Sequence, residues 1–295
     1  MPFLGYGTST VKKDIGRSAS IPVRQSPIAD WQAVMEGDHY GTFKDSVTGS
    51  AATVTRTTPK TIYDPTTGKI YDVPAGKLAI NPWGVYQPGG IGYAAVIEEA
   101  RTNYLMNSYG AANTSGLWTG WALSDGVSGT PTASIANGVY GSTAQRIQYA
   151  AIAGDTAGFI QFVRFTSPAT FAAGENATAS VFCACSQSGT LVRLKITARD
   201  AAYAVLGTVS ATIPVGGFGR TTVTYSNLPV GTTLLGCQIE VELIANGDTF
   251  DLTIDAAQLE KGSFATSYIP TTTAAVTRNR DVVTVPTTGW DAAAI

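Results

Sequence analysis

The sequence predicts an all-β chain: an antiparallel two-sheet sandwich preceded by an extended N-terminal arm carrying one short helix and a β-hairpin. Three observations point there. Strand patterns of period two recur through the second half. The cleanest is Leu191–Arg199, where Val192, Leu194, Ile196 and Ala198 alternate with Arg193, Lys195, Thr197 and Arg199. Turn signals part the strands at regular spacing: Ser188-Gly189, Pro214-Val215-Gly216-Gly217, Pro229-Val230-Gly231 and Asn246-Gly247-Asp248. The composition agrees, with 44% hydrophobic and only 14% charged residues, frequent Gly and Pro, and few long helical periods.

The same signals divide the 295 residues into an arm (1–50), a hairpin and connector (51–102), the sandwich (103–270) and a closing linker (271–295). Residues 1–25 scatter Gly, Pro, Ser and basic side chains without period. They cannot bury enough surface to offset their ordering entropy, so they are expected to be disordered or to lie along another protein. Ser26-Pro27 reads as a helix start, with Ser as N-cap and Pro at the first helical position, and Gly37 as its stop. Ile28, Trp31, Val34 and Met35 follow at helical spacing. So short a helix is marginal alone, so this apolar face is the candidate anchoring surface.

Thr53–Arg56 alternates as a strand. Two Ile-Tyr-Asp runs, at 62–64 and 70–72, flank Pro65 to Gly68 and read as a hairpin with glycine at the positive-φ position. Pro74 to Gly92, with Trp83 and Tyr86, reads as a connector. Within 103–270, strands are expected over 144–149, 159–165, 177–185, 191–199, 204–213, 219–226, 237–243 and 250–259. Residues 282–285 make one more short strand.

The search for chemistry excludes more than it offers. Net charge is −2 with no basic cluster, so nothing marks the chain for nucleic acid or an anionic membrane, and no apolar run reaches bilayer-spanning length. Cys183, Cys185 and Cys237 are too few for a disulfide framework and read as buried thiols; His39 is the only histidine, which argues against a metal site and against nucleophilic triads. The acid pairs Glu240/Glu242 and Asp251/Asp255 sit where solvated strand residues belong, not flanking a sugar groove. Gly216-Gly217-Phe218-Gly219 opens a strand, so no helix N-terminus follows for a phosphate. No catalytic residue is assigned. Aromatic side chains that would serve a sugar-binding face are Trp118, Trp121 and Tyr149, with Phe162 and Tyr203 beside them, although core packing is the plainer role for each. The Arg193/Lys195 and Glu240/Glu242 rows are placed to pair across neighbouring strands.

Two longer motifs carry a resemblance. Gly92 to Ser108, GYAAVIEEARTNYLMNS, resembles a signature of tailed-bacteriophage virion proteins (tail fibres, head spikes and relatives), in which a Trp follows about a dozen residues on. The segment 256–271, AAQLEKGSFATSYIPT, resembles the end of the jelly-roll domain found there. The match covers about Val54 to Val285; Tyr93-Ala94-Ala95-Val96 departs from the usual leucine-rich strand. The resemblance implies a jelly roll like those of carbohydrate-binding modules, a homotrimeric fibre or spike subunit in the virion, assembled in the host cytoplasm, and partners among head, neck or tail proteins. The expected role is structural and non-enzymatic, with host-surface polysaccharide binding by the sandwich as the alternative. No cofactor is expected. A structural calcium near Asp255 is the one metal the resemblance suggests, yet the usual acidic partner is missing from Gly110-Ala111-Ala112-Asn113. Relatives often continue into a further β-domain, so the chain is expected to run on past Ile295.

Overall fold

The computed structural model describes residues 31–36, 39–45, 50–87, 90–109, 117–123, 129–153, 155, 158–165, 170–188, 191–243 and 247–284. They are strands, turns and loops, with no helix among them. None is a helix long and apolar enough to cross a membrane. The chain forms two compact units. The first comprises 1–64, 71–99 and 279–295; the second comprises 65–70 and 100–278.

The first unit begins with β1 (Trp31–Met35) and β2 (Tyr40–Asp45), then β3 (Thr53–Thr55). The hairpin strands β4 (Lys60–Asp64) and β5 (Lys69–Val73) pair as expected around Gly68, at φ +67°; the turn and the first two residues of β5 belong to the second unit. Next come β6 (Leu78–Gln87) and β7 (Gly90–Val96), which complete an antiparallel sheet in the order β1-β2-β6-β7.

Two expectations fail here. The helix does not form over its described part: Trp31–Met35 is a strand in register with β2, Trp31 facing Asp45 and Met35 facing Gly41. Too few turns were available to stabilise a helix, whereas a neighbouring strand satisfies the same backbone groups directly. The anchoring stripe of Trp31, Val34 and Met35 is therefore not a helix face, and Ser26, Pro27 and Ile28 lie outside the described residues. The 74–92 connector is likewise a strand pair. Leu78, Ala79 and Ile80 are fully buried, and Pro82 falls in the register break between Asn81 and Val85, where the missing N–H is tolerated.

The second unit opens with β8 (Arg101–Asn103), β9 (Trp121–Leu123), β10 (Thr132–Ala136), β11 (Ala144–Ala150), β12 (Gly158–Phe165) and β13 (Ala177–Ser188). It continues with β14 (Leu191–Arg199), β15 (Val205–Thr212), β16 (Gly216–Tyr225), β17 (Leu234–Leu243) and β18 (Thr249–Lys261). All eight strands read from the sequence are present; β9 and β10, short and weakly patterned, are added. They form two five-stranded antiparallel sheets, ordered β10-β11-β18-β13-β16 and β15-β14-β17-β12-β9. One continuous core joins them, with Val192, Leu194 and Ile196 from β14, Cys237, Ile239 and Val241 from β17, and Val181, Cys183, Leu252 and Ile254 from the other sheet. The three cysteines are free and buried, as small apolar residues would be.

A bulge sets the register of the longest strand. Ala256, at φ +49°, is the extra residue where the β13 partner shifts from Asp255 at Phe182 to Gln258 at Ser180. Ile254 and Ala257 therefore both reach the core although three residues apart. After β18 the chain forms β19 (Val276–Arg278), paired with β8, and then β20 (Val282–Thr284), paired with β3 in the first unit.

That return is fastened by a buried ion cluster within the first unit. Asp281 takes Arg56 Nη1 on one oxygen and Lys60 Nζ, at 2.8 Å, on the other; the latter oxygen also accepts the Glu98 amide at 2.9 Å. Arg56 donates further to the Thr58 and Pro74 carbonyls, and Lys60 pairs with Glu98 at 2.9 Å. Burial pushes the Asp281 carboxyl up, but Lys60, Arg56 and the Glu98 amide outweigh it and hold it below the ordinary range. Removing one member leaves buried charge unpaired. Asp281→Ala is expected to cost about 3–5 kcal/mol and to expose the Val54 and Val283 amides to fast hydrogen exchange.

Candidate functional site

The residues of the two motifs meet in the second unit. Asn103 is fully buried and uses its whole hydrogen-bonding capacity. Its Nδ2 donates to the Ala257 and Ile269 carbonyls at 3.1 and 2.9 Å, and its Oδ1 accepts the Leu105 and Leu259 amides, both at 3.1 Å. Ser108 Oγ lies 2.6 Å from Tyr268 Oη and accepts the Thr271 amide at 2.9 Å, while Thr271 Oγ1 donates to the Leu105 carbonyl. Gln258 Oε1 accepts the Ile269 amide, and Glu260 accepts both the amide and the hydroxyl of Thr266. A side chain at Gly262, at φ +137°, would run into the Arg101 guanidinium, which lies over the Phe264 ring. The motifs are thus the two halves of one buried polar knot. Asn103→Leu is expected to lose about 2–4 kcal/mol in urea denaturation, because four backbone groups are left unpaired. Thr277→Val, at an exposed hydroxyl pair with Thr102, is expected to stay within about 0.5 kcal/mol.

The predicted sugar-stacking aromatics are not a surface. Trp118 and Trp121 are buried in the core, edge to face with ring centroids 4.7 Å apart, and Gln145 Oε1 accepts the Trp118 amide. The Tyr149 ring is also buried; its hydroxyl alone reaches outward, donating to Asp155 at 2.8 Å and accepting the Gly129 amide at 3.1 Å. Tyr203 is exposed, and the side chain of Phe162 lies outside the described residues.

Two acids depart from the solvated role expected of them. Glu240 is buried on the outer face of its sheet; Arg193 donates twice to its Oε2, and Lys195 and Gln238 donate to its Oε1, so the expected cross-strand pairing is present but covered. Burial would raise its pKa, yet Lys195 and Arg193 keep it lowered. Asp255 is fully buried at the bulge. Its oxygens accept the amides of Val139, Tyr140 and Ala256, and the 138–140 loop in turn takes Ile70 N–H on the Val139 carbonyl. Burial lifts Asp255 to about 6 against the pull of these amides. The carboxylate that the resemblance marked for calcium is thus directed at three N–H donors, which a cation would have to displace. Among the described residues no group of three or more His, Cys, Asp or Glu side chains gathers.

What remains open is a polar groove on the outer face of the β10-β11-β18-β13-β16 sheet. Its volume is about 560 Å³, and Gly129, Thr132, Gln148, Ser186, Thr249 and Asp251 line it. A second hollow of about 420 Å³ shares Ser186 and Asp251 and adds Arg146, Val215 and Thr253. Asp251 joins the two: Arg146 grips it through Nε, at 2.8 Å, and Nη2, and Gln148 Nε2 donates at 3.0 Å. The Arg146 guanidinium holds its carboxyl below the ordinary range. No sequence signal singled out this face. Its residues are ordinary outward strand positions, recognisable as a set only once β11, β13 and β18 lie side by side.

No family model and no curated protein matches the chain. Solved structures similar to it include the enzymatically active domain of tailspike protein 4 of bacteriophage CBA120, at 15% identity and TM-score 0.39 over 54% of this chain and 21% of that one. A carbohydrate-binding module of the β-sandwich superfamily is similar at 12% identity and TM-score 0.41, over 81% and 99%. Another, solved with β-1,4-galactotriose, is similar at 18% identity and TM-score 0.35, over 54% and 99%. The chain thus spans about a fifth of the tailspike domain's length. The sandwich assignment rests on the sheets themselves.

Proposed function

We propose that the chain is a non-catalytic structural subunit of a bacteriophage fibre or spike, joined to the virion through its N-terminal segment and projecting the sandwich. The observation that supports this reading is the knot. The two strings that resemble virion proteins lie far apart in the chain, yet Asn103 bonds to Ala257, Leu259 and Ile269, and Ser108 to Tyr268 and Thr271. Two strings that fold into one device support reading them as a single resemblance. Its polar groups are engaged with one another and with the backbone, which suits a scaffold better than a reactive centre.

A chain lacking residues 1–30, which spares β1 and the sheet it closes, is expected to fold but not to enter particles. Electron microscopy with an antibody against the sandwich should label intact virions and not those made with the truncated chain. Incorporation of the truncated chain would overturn the assignment.

The groove favours a second reading, a receptor-binding adhesin that contacts saccharide. Hydroxyls from Thr132, Ser186 and Thr249, the Gln148 amide and the Asp251 carboxylate surround a hollow of a size typical of small-ligand sites. Because Arg146 neutralises Asp251, the groove suits a neutral, hydroxyl-rich ligand. On a printed array of bacterial-surface oligosaccharides, saturable binding should survive high salt and fall at least tenfold in Asp251→Ala. Binding confined to acidic glycans and abolished by salt would contradict it.

A further inference from the structure

At one end of the sandwich the sheet stops without a guard. β15 is the last strand of its sheet and, among the described residues, pairs only with β14, so the outward half of its backbone donors and acceptors faces away from the sheet along eight residues. Proteins usually protect such an edge with lysine, proline, a bulge or a covering loop. Here no charged residue occurs from Ala201 to Gly219, and the only proline, Pro214, comes after the strand ends. The register irregularity at Ala198/Arg199 lies at its beginning. Apolar side chains cluster beside it: Tyr203 is 69% exposed, Val205 54% and Val230 91%, and the Gly231 turn abuts Leu206. The other ends of the two sheets differ. β16 carries Arg220 in its middle, β10 is only five residues long and β9 only three.

We propose that this edge docks a second copy of the chain, β15 against β15, antiparallel about a twofold axis. An antiparallel edge is self-complementary in its hydrogen bonds. When a strand meets its own copy, any charge at the centre meets the same charge, a destabilising arrangement. The uncharged run from 201 to 219 is the sequence that self-pairing requires, whereas an oppositely charged partner would have nothing to recognise. Tyr203, Leu206 and Val230 supply an apolar anchor at the strand's entry. The pairing is twofold and so distinct from the threefold assembly implied by the resemblance; it does not rest on the virion assignment, and a dimer that never entered a particle would sink that assignment alone.

The full chain should run as a dimer, or an even multiple, by light scattering on a sizing column over a range of concentrations. Thr208→Lys/Ser210→Lys sets lysines against lysines at two exposed positions and should halve the mass, while Thr208→Val/Ser210→Val should not. In wild type, β15 amides should exchange more slowly as protein concentration rises, a readout that stands even if the lysine variant misfolds. A monomer at every concentration, a trimer indifferent to the lysines, or β15 amides that exchange fast throughout would each overturn the proposal.

Discussion

A buried asparagine with every donor and acceptor satisfied constrains the second unit more than any single apolar contact. Apolar side chains tolerate exchange for others of similar volume. The Asn103 amide does not, because it faces the Leu105 amide beside it and two carbonyls and one amide belonging to segments more than 150 residues away. It can be satisfied only when β8, the end of β18 and the 266–271 segment are all in place. Tyr268, Thr271, Gln258 and Glu260 extend the same condition to the segment that covers this half of the sheet. The remaining half of that face is left open, and it is where the groove around Asp251 lies.

Buried charge does comparable work in the first unit. Arg56, Lys60, Glu98 and Asp281 come from parts of the chain before and after the whole sandwich, and their ion pairs are satisfied only once the chain has returned. The chain path makes the second unit largely an insertion, entered at Ala100 through β8 and left at Arg278 through β19, which pair with each other. This accounts for the density of charge around Ile97 to Arg101 and again at Arg278 to Asp281. Those runs lie where the chain passes from one unit to the other, and each side needs polar groups that close on its own partners.

The aromatic residues show how burial redirects a functional expectation. Trp118 and Trp121 follow the first motif as candidates for a binding face, but the core takes both. Tyr149 divides its roles, with the ring inside and the hydroxyl fastening the 129 and 155 loops beside the groove. The groove is lined by hydroxyls, an amide and a neutralised carboxylate, with Tyr149, Phe250 and Ile152 at its apolar side.

By itself the sequence determined eight of the ten strands of the sandwich, the hairpin around Gly68 and the burial of all three cysteines. Each follows from local alternation, turn chemistry or side-chain polarity, properties that act over a few residues. Only the tertiary structure decided that Trp31–Met35 would be a strand, since a short segment takes its conformation from whatever backbone lies beside it. It alone decided that Glu240 and Asp255 would be buried, the first among the Arg193, Lys195 and Gln238 side chains and the second under the 138–140 loop, because outward positions stay exposed only if nothing lies over them. The knot, the ion cluster, the groove and the open β15 edge share that origin: each is made by residues distant in the chain, and local pattern carries no information about which distant segments will meet.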